Sequence, residues 1–280
     1  MRIVDAFVNP VFWGPSDAPE YVRHAIGETF HTTLSEQRPS TPEALVEEMD
    51  RLGIDHAILS AVDGFWPQVT AFIEAYPSRF SFSVEVNPLG GMETVRQVER
   101  AVRDYAAILV RMVPFVVGLP PSDRVYYPVF AKCVELGVPV AVNTGIPAPR
   151  MPAAPQQPLH LDDVVRFFPE LTVVMQHGAD PWWGEAIRLL LKYPNLYMMT
   201  SAWAPKHLPQ ELIHFMNTRG REKIMWATDY PALPFERCVR EAEDLPLRPG
   251  VLEEYFAGTA EKVWPTLAAA GKTPRDEGSA

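Results

Sequence analysis

Short apolar runs alternate along the chain with longer stretches in which apolar positions recur every three or four residues. The short runs are RIVDAFV, HAILSAV, FSFSVEV, AAILVRMV, GVPVAVN, LTVVMQH, NLYMMTS and KIMWATD. They are rich in β-branched residues and apolar on both faces, which is the pattern of parallel strands covered by helices. Between them lie helix-like stretches, among them TPEALVEEMDRLG, WPQVTAFIEAYP, METVRQVERAVRDY, VYYPVFAKCVELG, LDDVVRFFPE, WGEAIRLLLKYP and LPQELIHFMNTRG. A further helical region covers FERCVREAE and GTAEKVWPTLAAA. Pro and Gly fall at the junctions: Ser40-Thr41-Pro42-Glu43 opens one helix, and Gly53 and Gly137 close others.

Eight strands, each followed by a helix, in 280 residues predict an α/β chain folded as a (β/α)8 TIM barrel. An open, doubly wound sheet shares the same alternation. No Gly-x-Gly-x-x-Gly follows the first strand, which removes the commonest reason to prefer that sheet. The barrel is expected to occupy residues 1–270 as one domain, followed by a flexible, polar tail over 271–280.

Composition narrows the partners. With 47% apolar residues the chain can bury a full core, and a formal net charge of -10 argues against nucleic acid or an anionic membrane surface. No apolar run reaches the roughly 18 residues of a membrane span, and no basic-then-apolar leader precedes the first strand. Cys133 and Cys238 fit neither a metal spacing nor a disulfide framework. The expectation is a soluble, cytoplasmic protein with ordinary buried thiols.

In a barrel the active site sits at the carboxyl ends of the strands. There the sequence places Asp5 and Asn9, Asp63, Glu85, Arg111, Asn143, Gln176 and His177, and Thr228 and Asp229. Aromatic residues crowd the same end, among them Phe7, Phe12, Trp13, Trp182, Trp203 and Tyr230. An apolar wall with a few convergent polar groups is the usual form of a small-molecule site, although such aromatics can also simply cap a barrel core. Arg111 interrupts an apolar run, and its guanidinium suits either a bidentate grip on a carboxylate or a buried ion pair with Glu85.

The ordered landmarks VDAFVNP, GIDHAILS, RFSFSVEVNP, AAILVRMVPF, ELGVPVAVNTG, FPELTVVMQHGADPWW, YPNLYMMTSAW, KIMWATDYP and YFAGTAEKVW resemble the amidohydrolase-related family from about residue 1 to residue 268. That family includes aminocarboxymuconate-semialdehyde decarboxylase, resorcylate decarboxylases and pyrone-dicarboxylate lactonase. The resemblance implies a divalent metal bound by two His at the positions of Phe7 and Asn9, a His at Asn143 and the Asp at Asp229. It also implies catalysis by the His matching His177. Here only the Asp of the ligand set remains. Phe7 cannot ligate and neutral amides are poor ligands for Zn2+, so no metal or other cofactor is expected, with a weakly bound divalent ion such as Zn2+ as the alternative.

Without a metal, side chains must both activate water and polarise the carbonyl. The resemblance then implies a hydrolase of a small ring-containing carboxylate or lactone. His177 and Asp229 act as a general acid/base pair, and Arg111 anchors the substrate carboxylate. Asn9 and Asn143 form an amide pair across the lost metal position, and Phe7, Trp182, Trp203 and Tyr230 line the substrate. Two alternatives stay open: non-oxidative decarboxylation of an aromatic or unsaturated acid, and a ligand-binding pseudoenzyme. His177 could also be a core histidine, and Asp229 a loop anchor. The segment Gly14 to Ser40 either covers the site, with His24 or His31 lending an imidazole, or packs against another subunit. The resemblance implies a homodimer.

Overall fold

In a computed structural model describing residues 1–10, 18–31, 41–62 and 64–270, the eight apolar runs form eight parallel strands whose order in the sheet follows their order in sequence. They are Val4–Val8 (β1), His56–Ala61 (β2), Phe80–Glu85 (β3), Leu109–Met112 (β4), Val140–Asn143 (β5), Val173–Gln176 (β6), Leu196–Met199 (β7) and Ile224–Met225 (β8). The last strand returns to the first. Val8 bridges Tyr230, Asn9 N–H donates to the Tyr230 carbonyl at 2.8 Å, and Asp229 N–H donates to the Phe7 carbonyl at 3.1 Å. The architecture is the (β/α)8 barrel that the alternation predicts.

The helices follow the polar–apolar periodicity. Before the first barrel helix, Glu20–His24 (α1) continues into a wider π-helical turn, Ala25–Thr29. Around the barrel lie Pro42–Leu52 (α2), Trp66–Ala75 (α3), Met92–Tyr105 (α4), Pro114–Val117 (α5), Tyr127–Leu136 (α6), His160–Phe167 (α7), Trp183–Lys192 (α8), Gln210–Met216 (α9) and Phe235–Glu243 (α10). At the start of α2, Thr41 Oγ1 accepts the Ala44 N–H at 3.3 Å. Gly53 ends the helix at φ 72°, where a Cβ would be strained. Phe12, Trp13, Ser40, Asp63 and the tail 271–280 lie outside the described residues.

β8 is shorter than KIMWATD suggests. The Trp226 N–H donates at 2.8 Å to the carbonyl of Tyr255, in the C-terminal helical region, while the Trp226 carbonyl still accepts the Ala6 N–H of β1 at 3.3 Å. That region comprises Val251–Glu253 (α11), the π-helical turn Glu254–Gly258, Thr259–Val263 (α12) and Pro265–Ala270 (α13). Its side chains Ala260, Val263, Trp264 and Leu267 pack in one cluster with the barrel-interior residues Val4, Leu109, Ala141 and Met225. Trp264 Nε1–H donates to the carbonyl of Ile108, just before β4, at 2.9 Å. Arg2, just before β1, donates to the Leu267 carbonyl at 2.7 Å. The C-terminal helices therefore close the amino-terminal end of the barrel, and a second apolar layer fills the space between sheet and surrounding helices. Cys133 and Cys238 sit buried in that layer as free thiols.

Candidate active site

At the opposite end, where the strands terminate, lies a cavity of about 990 Å³. Its floor is made by strand-end residues: Phe7 and Asn9, Glu85, Arg111, Asn143, His177 and Asp229. Trp203 stands in its wall. Trp182 and Tyr230, expected there from sequence, are not among its lining residues. Tyr230 stacks on Phe235 at a centroid distance of 4.1 Å and donates its hydroxyl to Glu48 at 3.0 Å, which turns the ring toward α2 and α10. Trp182 caps the start of α8, its carbonyl accepting the Ala186 N–H at 3.0 Å.

Asp229 is fixed by a chain of bonds that begins at Asp5. The fully buried Asp5 carboxylate accepts the N–H groups of Phe7 and Thr228, each at 3.1 Å, and the Thr228 hydroxyl at 2.6 Å. Thr228 Oγ1 in turn accepts the Tyr230 N–H at 2.9 Å. The residues on both sides of Asp229 are thus tied to β1, which holds Asp229 at a left-handed φ of 67°. A non-glycine residue in that region stores roughly 1–3 kcal/mol of strain. His177 has the same feature, at φ 68°.

The Asp229 carboxylate accepts Asn9 Nδ2–H at 2.7 Å. Asn9 therefore pairs with Asp229 and not with Asn143, whose Oδ1 is buried without a hydrogen-bond partner among the described residues. Burial pushes Asp229 up to about 7, against the opposing pull of the Arg111 guanidinium and the Asn9 bond, and the Asp5 charge adds to the rise. Asp5 is also pushed up to about 7, by burial, although its three hydrogen bonds favour the ionised form.

Arg111 is held more tightly than a free anchor would be. Its Nε–H donates to Gln176 Oε1 at 3.0 Å, and its Nη1 makes a short ion pair with Glu85 on the adjacent strand. The guanidinium carbon lies over the Phe7 ring, 4.8 Å from its centroid. Both forks of the guanidinium thus already share a donor with the protein, and Nη2 alone has no partner among the described residues. The bidentate grip expected from sequence gives way to a single free donor nitrogen. The ion pair with Glu85, the competing expectation, is present.

His177 also faces this cation through Phe7, whose ring meets the imidazole edge-on at 5.6 Å. Its Nδ1 contacts the Ser201 hydroxyl at 2.9 Å and the Ser201 carbonyl at 3.3 Å. A carbonyl only accepts, so Nδ1 carries the proton and Nε2 keeps a lone pair. Burial, reinforced by Arg111, lowers the imidazole to about 3, leaving it neutral near pH 7. No hydrogen bond joins His177 to Asp229 among the described residues; the two share the cavity floor without forming a dyad. Trp203 fixes the same turn by donating Nε1–H to the His177 carbonyl at 2.9 Å.

The donor set does not fit a transition metal. Phe7 offers no lone pair, Asn9 and Asn143 offer only neutral amide oxygens, and a guanidinium lies over the Phe7 ring. Among the described residues no three His, Cys, Asp or Glu side chains are grouped to hold an ion.

Within the segment Gly14 to Ser40, expected to cover the site or to pack against another subunit, the described residues roof the cavity, His31 among them. Tyr21, Val22, Ala25, Ile26, Phe30 and His31 line the cavity from the segment after β1. His24 instead pairs with Glu28 at 3.2 Å. Tyr21 packs edge-on to Phe115 at 5.8 Å, and its phenol is pushed up by burial and by the Glu85 charge. α1 is only five residues long, too short to show a periodicity, so the sequence marks the segment by its place after β1 and does not single out Tyr21.

The chain is similar to several known proteins. Residues 17–266 match the family described as Amidohydrolase. A TIM-barrel protein from Bordetella bronchiseptica is 26% identical, with 97% of this chain and 100% of that chain covered and a TM-score of 0.79. A 5-carboxyvanillate decarboxylase from Novosphingobium aromaticivorans, complexed with manganese and 4-hydroxy-3-methoxy-5-nitrobenzoic acid, is 16% identical. That comparison covers 94% of this chain and 95% of the decarboxylase, with a TM-score of 0.67. Protein fluG of Emericella nidulans is 24% identical over 149 residues, a match covering 48% of this chain and 17% of that protein.

Proposed function

We propose, from the premise that this chain belongs to the amidohydrolase family, that it hydrolyses a small ring-containing carboxylate or lactone without a metal ion. The observation that carries the reading is Asp229. It is a carboxylate raised to about 7, bonded to Asn9 and set at the floor of a cavity beside a fixed guanidinium. A group titrating near the working pH can both take and return a proton.

In this scheme ionised Asp229 removes a proton from water. The water oxygen bonds to the substrate carbonyl carbon, and the carbonyl π electrons move onto its oxygen. Arg111 Nη2–H meets that developing charge, as a donor fixed in advance by Glu85 and Gln176. The intermediate collapses by breaking the bond to the leaving oxygen, which takes the proton held by Asp229. Neutral His177 offers Nε2 as an acceptor that orients the water or a substrate hydroxyl. Asn143, whose buried Oδ1 has no partner among the described residues, supplies a further contact for a polar substrate group.

Decarboxylation is the second reading, because a carboxyl group at about 7 is also substantially protonated near neutrality and could protonate the carbon that loses CO2. A panel of aryl lactones and esters assayed in excess chelator decides between them. Ring opening or ester cleavage that survives chelation, disappears in Asp229→Asn and rises with pH through about 7 supports hydrolysis. Release of CO2 with activity falling as pH rises through the same range selects the lyase. Turnover that chelator abolishes and an added divalent metal restores overturns the metal-free scheme.

A further inference from the structure

The reacting floor and the cavity are unequal in size. Arg111 lies 4.8 Å from the centre of the Phe7 ring, His177 lies 5.6 Å from that ring, and Asn9 touches Asp229 at 2.7 Å. A single substrate ring spans that cluster. The cavity, at about 990 Å³, lies at the upper end of the range that encloses drug-sized ligands. Away from the floor, Ile26 and Phe30 from the segment after β1, Phe115 and Val116 from α5, and Ile146 beyond β5 make an apolar part of the lining, while His31, Gln156, Asp180, His207 and Arg237 also line the cavity. Val116 and Ile146 are 39% and 57% exposed, unusually wet for large apolar side chains facing a cavity.

The roof is also fastened over this space. Glu28 pairs with Arg150 at 2.6 Å, and the Thr29 hydroxyl donates to the Ala148 carbonyl at 3.3 Å, both across to the loop that carries Ile146. Neither contact brings a charge into the apolar part of the cavity, since Arg150 and Glu28 are 75% and 59% exposed. We propose that the substrate is amphiphilic: a polar carbonyl head on the strand-end floor, joined to an apolar arm of several carbons lying between the segment Ala25–Phe30 and the β4 and β5 loops. This rests on the reading of the floor given above for the head, while the arm is carried by the lining of the cavity alone. Filling the roof with carbon removes both the ligand's and the wall's apolar surface from water.

Calorimetric titration of the full chain with benzoate and its para-ethyl, para-butyl and para-hexyl derivatives tests this. The Kd is expected to tighten by about threefold to fourfold per methylene until the arm is full. Val116→Ser combined with Ile146→Ser, both exposed positions, is expected to flatten that dependence to under about twofold per methylene. Ile26→Ser, made separately and checked by circular dichroism and melting, should flatten it from the opposite wall. A Kd independent of chain length overturns the proposal, as does an unchanged slope in both folded variants. The two readings fail separately. A steep slope with no lactone or ester turned over sinks the hydrolytic reading and keeps the arm. Hydrolysis with a flat slope does the reverse.

Discussion

At the amino-terminal end of the barrel, Trp264 is almost wholly buried, its indole N–H is bonded, and its neighbours Ala260, Val263 and Leu267 are apolar. At the carboxyl end, carboxylates and an imidazole are driven far from their usual protonation behaviour, and Asn143 keeps a polar atom without a partner among the described residues. Two strand-end residues there, His177 and Asp229, also sit in left-handed backbone. Both ends are formed by the same eight strands. One end minimises free energy locally, while the other stores it where chemistry can use it. Substitutions at the two ends should therefore separate stability from activity.

The largest effect is expected at Asp229. Asp229→Asn should reduce turnover by roughly a hundredfold to ten-thousandfold while keeping the fold. Its stability should move the other way, in a pH-dependent manner. The Asp229 carboxyl is raised from 3.8 to about 7, so the folded state holds that proton more firmly than the unfolded chain. That contribution is fully present below about pH 4 and is lost as pH rises through about 7. The variant, lacking the buried charge, should melt higher than the parent at pH 8 and show no such advantage at pH 4. An equal advantage at both values would break the view of Asp229 as stored strain.

Trp264→Ala should do the opposite, costing about 3–5 kcal/mol of stability through the cavity it leaves. The melting temperature should fall by about 10 °C, with kcat per folded molecule unchanged. A large loss of kcat here would mean that the sealed end communicates with the mouth.

Arg111→Met sharpens the comparison from within the mouth. It removes one donor to the developing oxyanion, an effect of roughly a hundredfold to a thousandfold in kcat. Because the guanidinium lowers Asp229, its loss should also move the midpoint of the pH–rate profile upward. A midpoint that stays fixed would separate Arg111 from the titrating group. The smallest effect belongs to Tyr230→Phe, which loses the bond to Glu48 at the outer face of the barrel. Its cost should be about 1 kcal/mol or less, with kcat and KM essentially retained.

Strand ends proved readable because a parallel barrel converts chain order into spatial order. Once the eight runs are recognised, the residue after each run must lie at the mouth, and Asn9, Arg111, Asn143, His177 and Asp229 all line the cavity there. Residues placed by local backbone direction were less accessible. Trp182 and Tyr230 follow the same strands, yet the turns aim one into helix capping and the other onto Phe235. The bond from the Trp226 N–H to the carbonyl of Tyr255, distant in sequence, is likewise invisible in the strand pattern.

By itself, then, the sequence determined the repeating period, the barrel and the chemical types collected at one end. It also determined that Phe7, Asn9 and Asn143, none of them an imidazole, stand at three of the strand ends. Those follow from side-chain alternation and residue identity, which are local. Only the tertiary structure decided which partners the charged groups take: Arg111 is shared with Glu85 and Gln176, Asn9 is committed to Asp229, and Asp5 stitches β1 to the turn after β8. Burial and hydrogen bonding between residues far apart in the chain set those pairings and the protonation behaviour that follows, and neither is written in the spacing of residues along it.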